Sequence, residues 1–63
     1  MTAEAIVERY LMDATKKRQK FEESYRFAQQ RQRPSDYENA LTDAIAYVNS
    51  FDGLIAYLRR NAA

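Results

Sequence analysis

Residues 31–38 have the sequence RQRPSDYE, and they divide this chain of 63 residues into two halves. The residue before a proline is driven away from helical backbone angles, so a helix that reaches this point has to end near Arg33. Ser35 and Glu38 have the spacing of a capping box, in which the side chain of each residue accepts from the backbone amide of the other. We therefore predict a turn over residues 33–35 and a second helix that begins at about residue 36.

Both flanking segments have the composition of long helices. No glycine or proline precedes Pro34, and Thr2 is a suitable N-cap residue. We expect helix one over about residues 3–32 and helix two over about residues 36–60. Gly53 could end helix two and leave a third short helix from Leu54. The apolar spacing keeps its phase through this point, however, so we favour a continuous helix.

Each segment carries an apolar stripe that advances by alternating steps of four and three residues, the repeat of a helix–helix contact. The first stripe consists of Val7, Leu11, Ala14, Arg18, Phe21, Tyr25 and Ala28, and the second of Tyr37, Leu41, Ala44, Val48, Phe51, Ile55 and Leu58. If the chain folds back at Pro34, six pairs with numbers that sum to 69 come together, from Leu11 with Leu58 to Ala28 with Leu41. In three of these pairs a small residue faces a large one, as interdigitating layers require. We predict an all-α antiparallel hairpin with a coiled-coil-like contact, in one domain over residues 1–63.

Arg18 is the one charged residue in these stripes. One interpretation is a buried charge that is reserved for a ligand or partner. The other, which we favour, is that its aliphatic stem packs on Phe51 while the guanidinium reaches Asp52 or solvent.

A hairpin of this size has a small core, which other short proteins supplement with disulfides, metals or association. The sequence has no cysteine for a disulfide and no histidine for the usual zinc sites. Further apolar residues extend beyond the stripes, and an exposed apolar patch is unusual on a monomer. We expect a homodimer that forms a four-helix bundle. The candidate dimer interface is Ile6, Tyr10, Ala40, Tyr47, Phe51, Leu54 and Leu58.

The net charge of +1 is unevenly distributed, because residues 16–33 sum to +5 while the segments before and after each sum to −2. The candidate contacts for a nucleic acid or an acidic protein partner are Lys16, Lys17, Lys20, Arg26, Arg31 and Arg33. These residues could neutralise phosphates, with an aromatic ring stacked on an unpaired base. Runs of charge on long helices are more often solvated surfaces. A nucleic-acid-binding regulator that uses residues 16–33 of both protomers is therefore the alternative to a protein-binding regulator.

Phe27 and Tyr57 fall outside both stripes and are the candidate exposed aromatic contacts. We expect neither an enzyme nor a cofactor or small-molecule substrate, because no nucleophile–base set or glycine-rich loop is present. No apolar run approaches the ~20 residues that span a bilayer, so we expect no membrane association and a cytoplasmic location. The function that we predict is a small non-enzymatic interaction or regulatory protein.

Overall fold

The computed structural model describes residues 2–62, and these form an antiparallel hairpin of helices without a β-strand. Helix α1 spans Ala3–Arg31, α2 spans Pro34–Asn49 and α3 spans Asp52–Ala62. The hairpin measures 46 × 18 × 11 Å and is one layer of helices thick. Its radius of gyration is 14.8 Å, against about 11 Å for a compact domain of this length. The predicted all-α hairpin is confirmed.

Helix α1 begins and ends as the local sequence predicts. Thr2 is the N-cap residue in extended conformation, and its hydroxyl accepts from the Ala5 amide at 3.2 Å. At the other end, Gln32 adopts the left-handed conformation with φ of 54°, and its amide donates to the Ala28 carbonyl at 2.9 Å. Arg33 is extended, as a residue before proline should be. The non-helical turn is therefore only Gln32 and Arg33.

The predicted capping box is wrong. Helix α2 starts at Pro34, two residues before the predicted start, and its N-cap residue Arg33 makes no side-chain capping bond. Proline favours the first helical position because its φ is already helical and its missing N–H has no helical partner there. Ser35 consequently lies inside the first turn. The buried Asp36 instead accepts from Arg33 Nε at 3.2 Å.

Helix two is interrupted rather than continuous. Ser50 and Phe51 form a turn between α2 and α3, two residues before the predicted weak point at Gly53. The Phe51 amide donates to the carbonyl of Val48 at 3.2 Å, three residues back instead of four. The Ser50 hydroxyl donates to the Tyr47 carbonyl, a local bond of the kind that competes with regular helix. The chain nevertheless continues in the same direction, because the Ile55 amide donates to the Phe51 carbonyl at 2.9 Å.

Most of the second predicted stripe does not face α1, because only Ala44 and Phe51 of its seven residues are half-buried and the other five are exposed. The side chains of α2 and α3 that lie toward α1 are buried or half-buried and precede the predicted ones by one residue. This contact line consists of Asp36, Ala40, Asp43, Tyr47, Ser50, Leu54 and Tyr57. The line keeps the alternating steps of four and three, but the helix is turned by about 100° from the predicted orientation. Leu41 and Val48 are left 61% and 66% exposed.

The first stripe is correct at three of its seven positions. Ala14, Phe21 and Ala28 lie in the contact, and Ala14 and Ala28 are buried. Tyr10 and Ser24 occupy the half-buried positions predicted for Leu11 and Tyr25. On α1 the contact line therefore consists of Tyr10, Ala14, Phe21, Ser24 and Ala28. Ala28 lies near the turn, where Ala40 of α2 is also buried, so both helices present small side chains to the contact there.

Both interpretations of Arg18 change with this rotation. Its side chain is 64% exposed, and Nε lies 2.9 Å from Oε1 of Glu22 on the next turn of α1. It is therefore neither a buried charge nor a stem packed in the contact between the helices of one hairpin.

Candidate interaction surfaces

The residues of the two predicted stripes that are left out of the contact lie together on one side of the hairpin. On both helices they follow the contact line by one residue, a step that turns a side chain by about 100° in the right-handed sense. The helices run in opposite directions and face each other, so the two turns bring these side chains to the same side. Val7 and Leu58 confirm this placement at the open end of the hairpin, because they line one surface groove between α1 and α3.

We call this side the apolar face. It consists of Val7, Leu11, Tyr25, Tyr37, Leu41, Val48, Ile55 and Leu58. All of these side chains are exposed except Val7, which is half-buried. Leu11 on α1 and Ile55 on α3 are 47% and 44% exposed. Arg18 and Glu22 form the polar pair near the middle of the face.

The structure uses most of the candidate dimer-interface residues within the hairpin. Ala40 is buried, and Tyr10, Tyr47 and Leu54 are half-buried on the contact line. Three further candidates remain. Ile6 is half-buried near the start of α1, Phe51 is half-buried with its ring 5.7 Å from that of Tyr47, and Leu58 belongs to the apolar face. The apolar surface that remains exposed is therefore formed mainly by residues that were predicted to lie in the contact between α1 and the second helix.

A polar cluster fixes α2 against α1 near the middle of their contact. The Ser24 hydroxyl donates to Oδ2 of Asp43, and Lys20 Nζ lies 3.7 Å from Oδ1 of the same carboxylate. The Asp43 side chain is only 13% exposed, whereas that of Lys20 is 71% exposed. Asp43 was not predicted as a contact residue, because a carboxylate on an inner helix face is uncommon unless it is paired.

Some of the predicted basic contacts share the side of the hairpin opposite the apolar face. Lys16, Lys20, Phe27 and Arg31 have spacings of four, seven and four residues, which places them on one face of α1. The Arg31 guanidinium lies over the Phe27 ring, 4.7 Å from its centroid. We call this group the basic side. Lys20 also takes part in the Asp43 cluster.

The other predicted basic contacts do not join the basic side. Arg26 lines a groove on the outer surface of α1 with Glu22, Glu23 and Phe27, so it lies at the edge of the basic side rather than within it. Arg33 is in the turn and is paired with Asp36 at 3.2 Å. Lys17 is exposed. Because it follows Lys16 by one residue, it is turned by about 100° from the basic side toward α2.

The two candidate aromatic contacts differ in their surroundings. Phe27 is exposed beneath Arg31. Tyr57 is half-buried on the contact line, with its ring centroid 6.4 Å from that of Tyr10. Phe27 is therefore the accessible one of the two.

Residues 2–62 contain no cluster of three or more acidic side chains that could hold a metal ion. Over the same range, no helix is both long and apolar enough to cross a membrane. No family model matches the chain, and no curated protein or solved structure is significantly similar to it.

Proposed function

We propose that this chain is a small non-enzymatic interaction or regulatory protein that presents a helical surface to a protein partner. The observation that carries this proposal is the apolar face. Large side chains such as Leu41 and Val48 stand more than half exposed along the hairpin, and contiguous apolar surface of this kind marks protein-binding sites.

The proposal includes a second copy of the chain as one protein that covers this face. The accessible surface of the hairpin is 5119 Å², whereas a compact monomer of the same 7.4 kDa mass exposes about 4,200 Å². The excess of about 900 Å² is close to the ~800 Å² that each partner loses in a stable interface of standard size. Two hairpins joined through their apolar faces form a four-helix bundle with a shared core.

The molecular mass in solution tests this homodimer. Light scattering during gel filtration should give twice the 7.4 kDa mass of the chain at micromolar concentration. Leu41→Glu and Val48→Glu should each give a monomer, because a carboxylate in a dry interface loses its hydration. Met12→Glu is the matched control, since Met12 is 62% exposed on the outer surface of α1. A wild-type chain that stays monomeric at about 0.1 mM would exclude the homodimer.

Binding of nucleic acid is the second candidate function, and the basic side is the observation that favours it. Lys16, Lys20 and Arg31 follow one face of α1 beside an exposed aromatic ring. Among the described residues, Lys16 has no ion pair. The basic side also points away from the apolar face, so it stays accessible when two copies pair.

A gel-shift titration against salt separates the two functions. Retention of RNA or DNA should fall steeply between 50 and 200 mM salt, which are the conditions in which phosphate contacts weaken. Replacement of Lys16 and Lys20 by glutamine should strongly weaken retention, while Arg59→Gln with Arg60→Gln on α3, which also removes two positive charges, serves as the charge-matched control. No retention of either nucleic acid at low salt would leave the protein-binding function alone.

A further inference from the structure

The apolar faces of two hairpins can meet in two symmetric ways. With the twofold axis along the hairpin, both turns lie at the same end and α1 of one copy packs on α2 and α3 of the other. With the axis across the hairpin, the turns lie at opposite ends and α1 packs on α1. We propose the first arrangement, an inference that rests on the homodimer proposed above and specifies how its copies dock.

The contacts inside the hairpin define which residues of α1 and α2 or α3 lie at the same height. Ser24 contacts Asp43, and the ring of Tyr10 packs near that of Tyr57. When two residues of one hairpin lie at the same height, their residue numbers therefore add up to about 67. Other contacts, such as that of Lys20 with Asp43, give sums as low as 63. A twofold axis along the hairpin leaves heights unchanged, so the same sums hold between the two copies.

This rule pairs apolar residues with apolar residues along most of the face. Leu11 lies at the height of Ile55 of the second copy, and Tyr25 at the height of Leu41 of the second copy, both with a sum of 66. Val7 lies at the height of Leu58 of the second copy, with a sum of 65. Every one of these side chains is on the apolar face. The two stripes of the sequence thus complement each other between chains rather than within one chain.

The opposite arrangement brings like charges together at its centre. Helix α1 has its midpoint at Lys17, so full overlap of α1 on α1 brings the two copies of Arg18 together at the centre. In the register that pairs the two copies of Arg18, with a sum of 36, Leu11 lies at the height of Tyr25 of the second copy, so the charges at the centre are what distinguish the two arrangements. Like charges that face each other across an interface are unfavourable. In the proposed arrangement, Arg18 instead lies at the height of Val48 of the second copy. Asp52 of the second copy lies one helical turn beyond that Val48.

A single distance between the two turns tests the arrangement. The sequence has no cysteine, so Gln32→Cys accepts one nitroxide label per chain in the exposed turn. Neighbouring helices lie 8–10 Å apart, so electron–electron resonance should give a label separation below about 25 Å when the turns share one end. A separation close to the 46 Å length of the hairpin would overturn the proposal in favour of the opposite docking.

Mixed disulfide trapping provides the second readout. Oxidation of Leu11→Cys mixed with Ile55→Cys should give a cross-linked dimer, and Met12→Cys mixed with Ile55→Cys is the matched control that should not. Efficient cross-linking of Arg18→Cys with itself would contradict the arrangement, because only docking of α1 on α1 brings these positions together. A monomeric mass refutes the homodimer itself, whereas a dimer with distant turns refutes only the orientation, so the two failures are distinguishable.

Discussion

The ring of Tyr10 lies directly against Gly53, where an added Cβ atom would stand 2.6 Å from Cε1 of the ring. This approach joins the start of α1 to the start of α3, and the same ring also packs on Tyr57 at 6.4 Å. Glycine is a weak helix former. Its presence in the first turn of α3 is explained by the space that Tyr10 requires.

Gly53→Ala should therefore fail to stabilise the hairpin. Alanine in a helix is favoured over glycine by ~1 kcal/mol, but overpacking against a half-buried ring costs about 1–3 kcal/mol. We expect a net loss of up to ~2 kcal/mol in the free energy of unfolding, measured by urea denaturation.

The control for this prediction is the same substitution without the ring. In a Tyr10→Ala background the steric cost disappears, so Gly53→Ala should then stabilise the chain by ~1 kcal/mol. If Gly53→Ala raised stability equally in both backgrounds, the contact with Tyr10 would not be the reason for the glycine.

Asp43→Ala should be more harmful than removal of any exposed carboxylate. It leaves the Ser24 hydroxyl without its acceptor between the helices, at a cost of about 1–3 kcal/mol. Lys20→Gln should cost less than about 1 kcal/mol, because the lysine is mostly exposed and its attraction to the carboxylate is screened by solvent. Urea denaturation of these variants beside Asp13→Ala, an exposed carboxylate on α1, measures the difference. Equal effects of the two aspartate substitutions would show that the cluster is not structural.

Ala28→Leu should disrupt the end of the hairpin near the turn. Ala28 has no exposed surface, so a larger side chain would have to separate α1 from α2, at a cost of about 1–3 kcal/mol. Ala56→Leu on the exposed side of α3 makes the same chemical change where space is available. A melting temperature lowered by the second variant as much as by the first would contradict the placement of the contact line.

The melting temperature of the wild-type chain should rise with protein concentration. A fold that is completed by a second copy is stabilised by mass action, whereas unimolecular unfolding is independent of concentration. Circular dichroism over a hundredfold range of concentration measures this, and Leu41→Glu should remove the dependence while Met12→Glu retains it. Superimposable wild-type curves would argue against pairing through the apolar face.

The two ends of α1 were predictable from local chemistry, whereas the break between α2 and α3 was not. Thr2 caps α1 and Pro34 enforces the turn because both effects depend on one or two neighbouring residues. The start of α2 was predicted two residues late, since a capping box and a proline at the first helical position compete for the same turn and the proline prevailed.

The side of each helix that faces the other was not predictable from hydrophobicity. The apolar stripes are real, but the contact inside the hairpin contains Asp36, Asp43 and Ser50 one residue away from the larger apolar side chains. Arg33 pairs with Asp36, Ser24 donates to Asp43 and Ser50 donates to the Tyr47 carbonyl, and no search for apolar residues reveals these partners. A search for apolar stripes alone therefore assigns the most hydrophobic side of α2 to the wrong contact.

The basic candidates were predictable only in part. Lys16, Lys20 and Arg31 share one side because their spacing follows the helical repeat. Arg26 and Arg33 have the same charge, but helix phase and the pairing with Asp36 direct them elsewhere. Charge composition identified the segment, and only the three-dimensional arrangement separated its members.

The groove that Ala3 and Asn61 line together has a practical meaning, because it shows that the start of α1 and the end of α3 are neighbours at one end of the hairpin. Two copies of the chain could be joined into one polypeptide by a short flexible linker. This linker would not have to span the length of the hairpin. Pairing of the two hairpins would then depend on the length of the linker instead of the concentration of the protein, because a short flexible linker supplies a local concentration in the millimolar range.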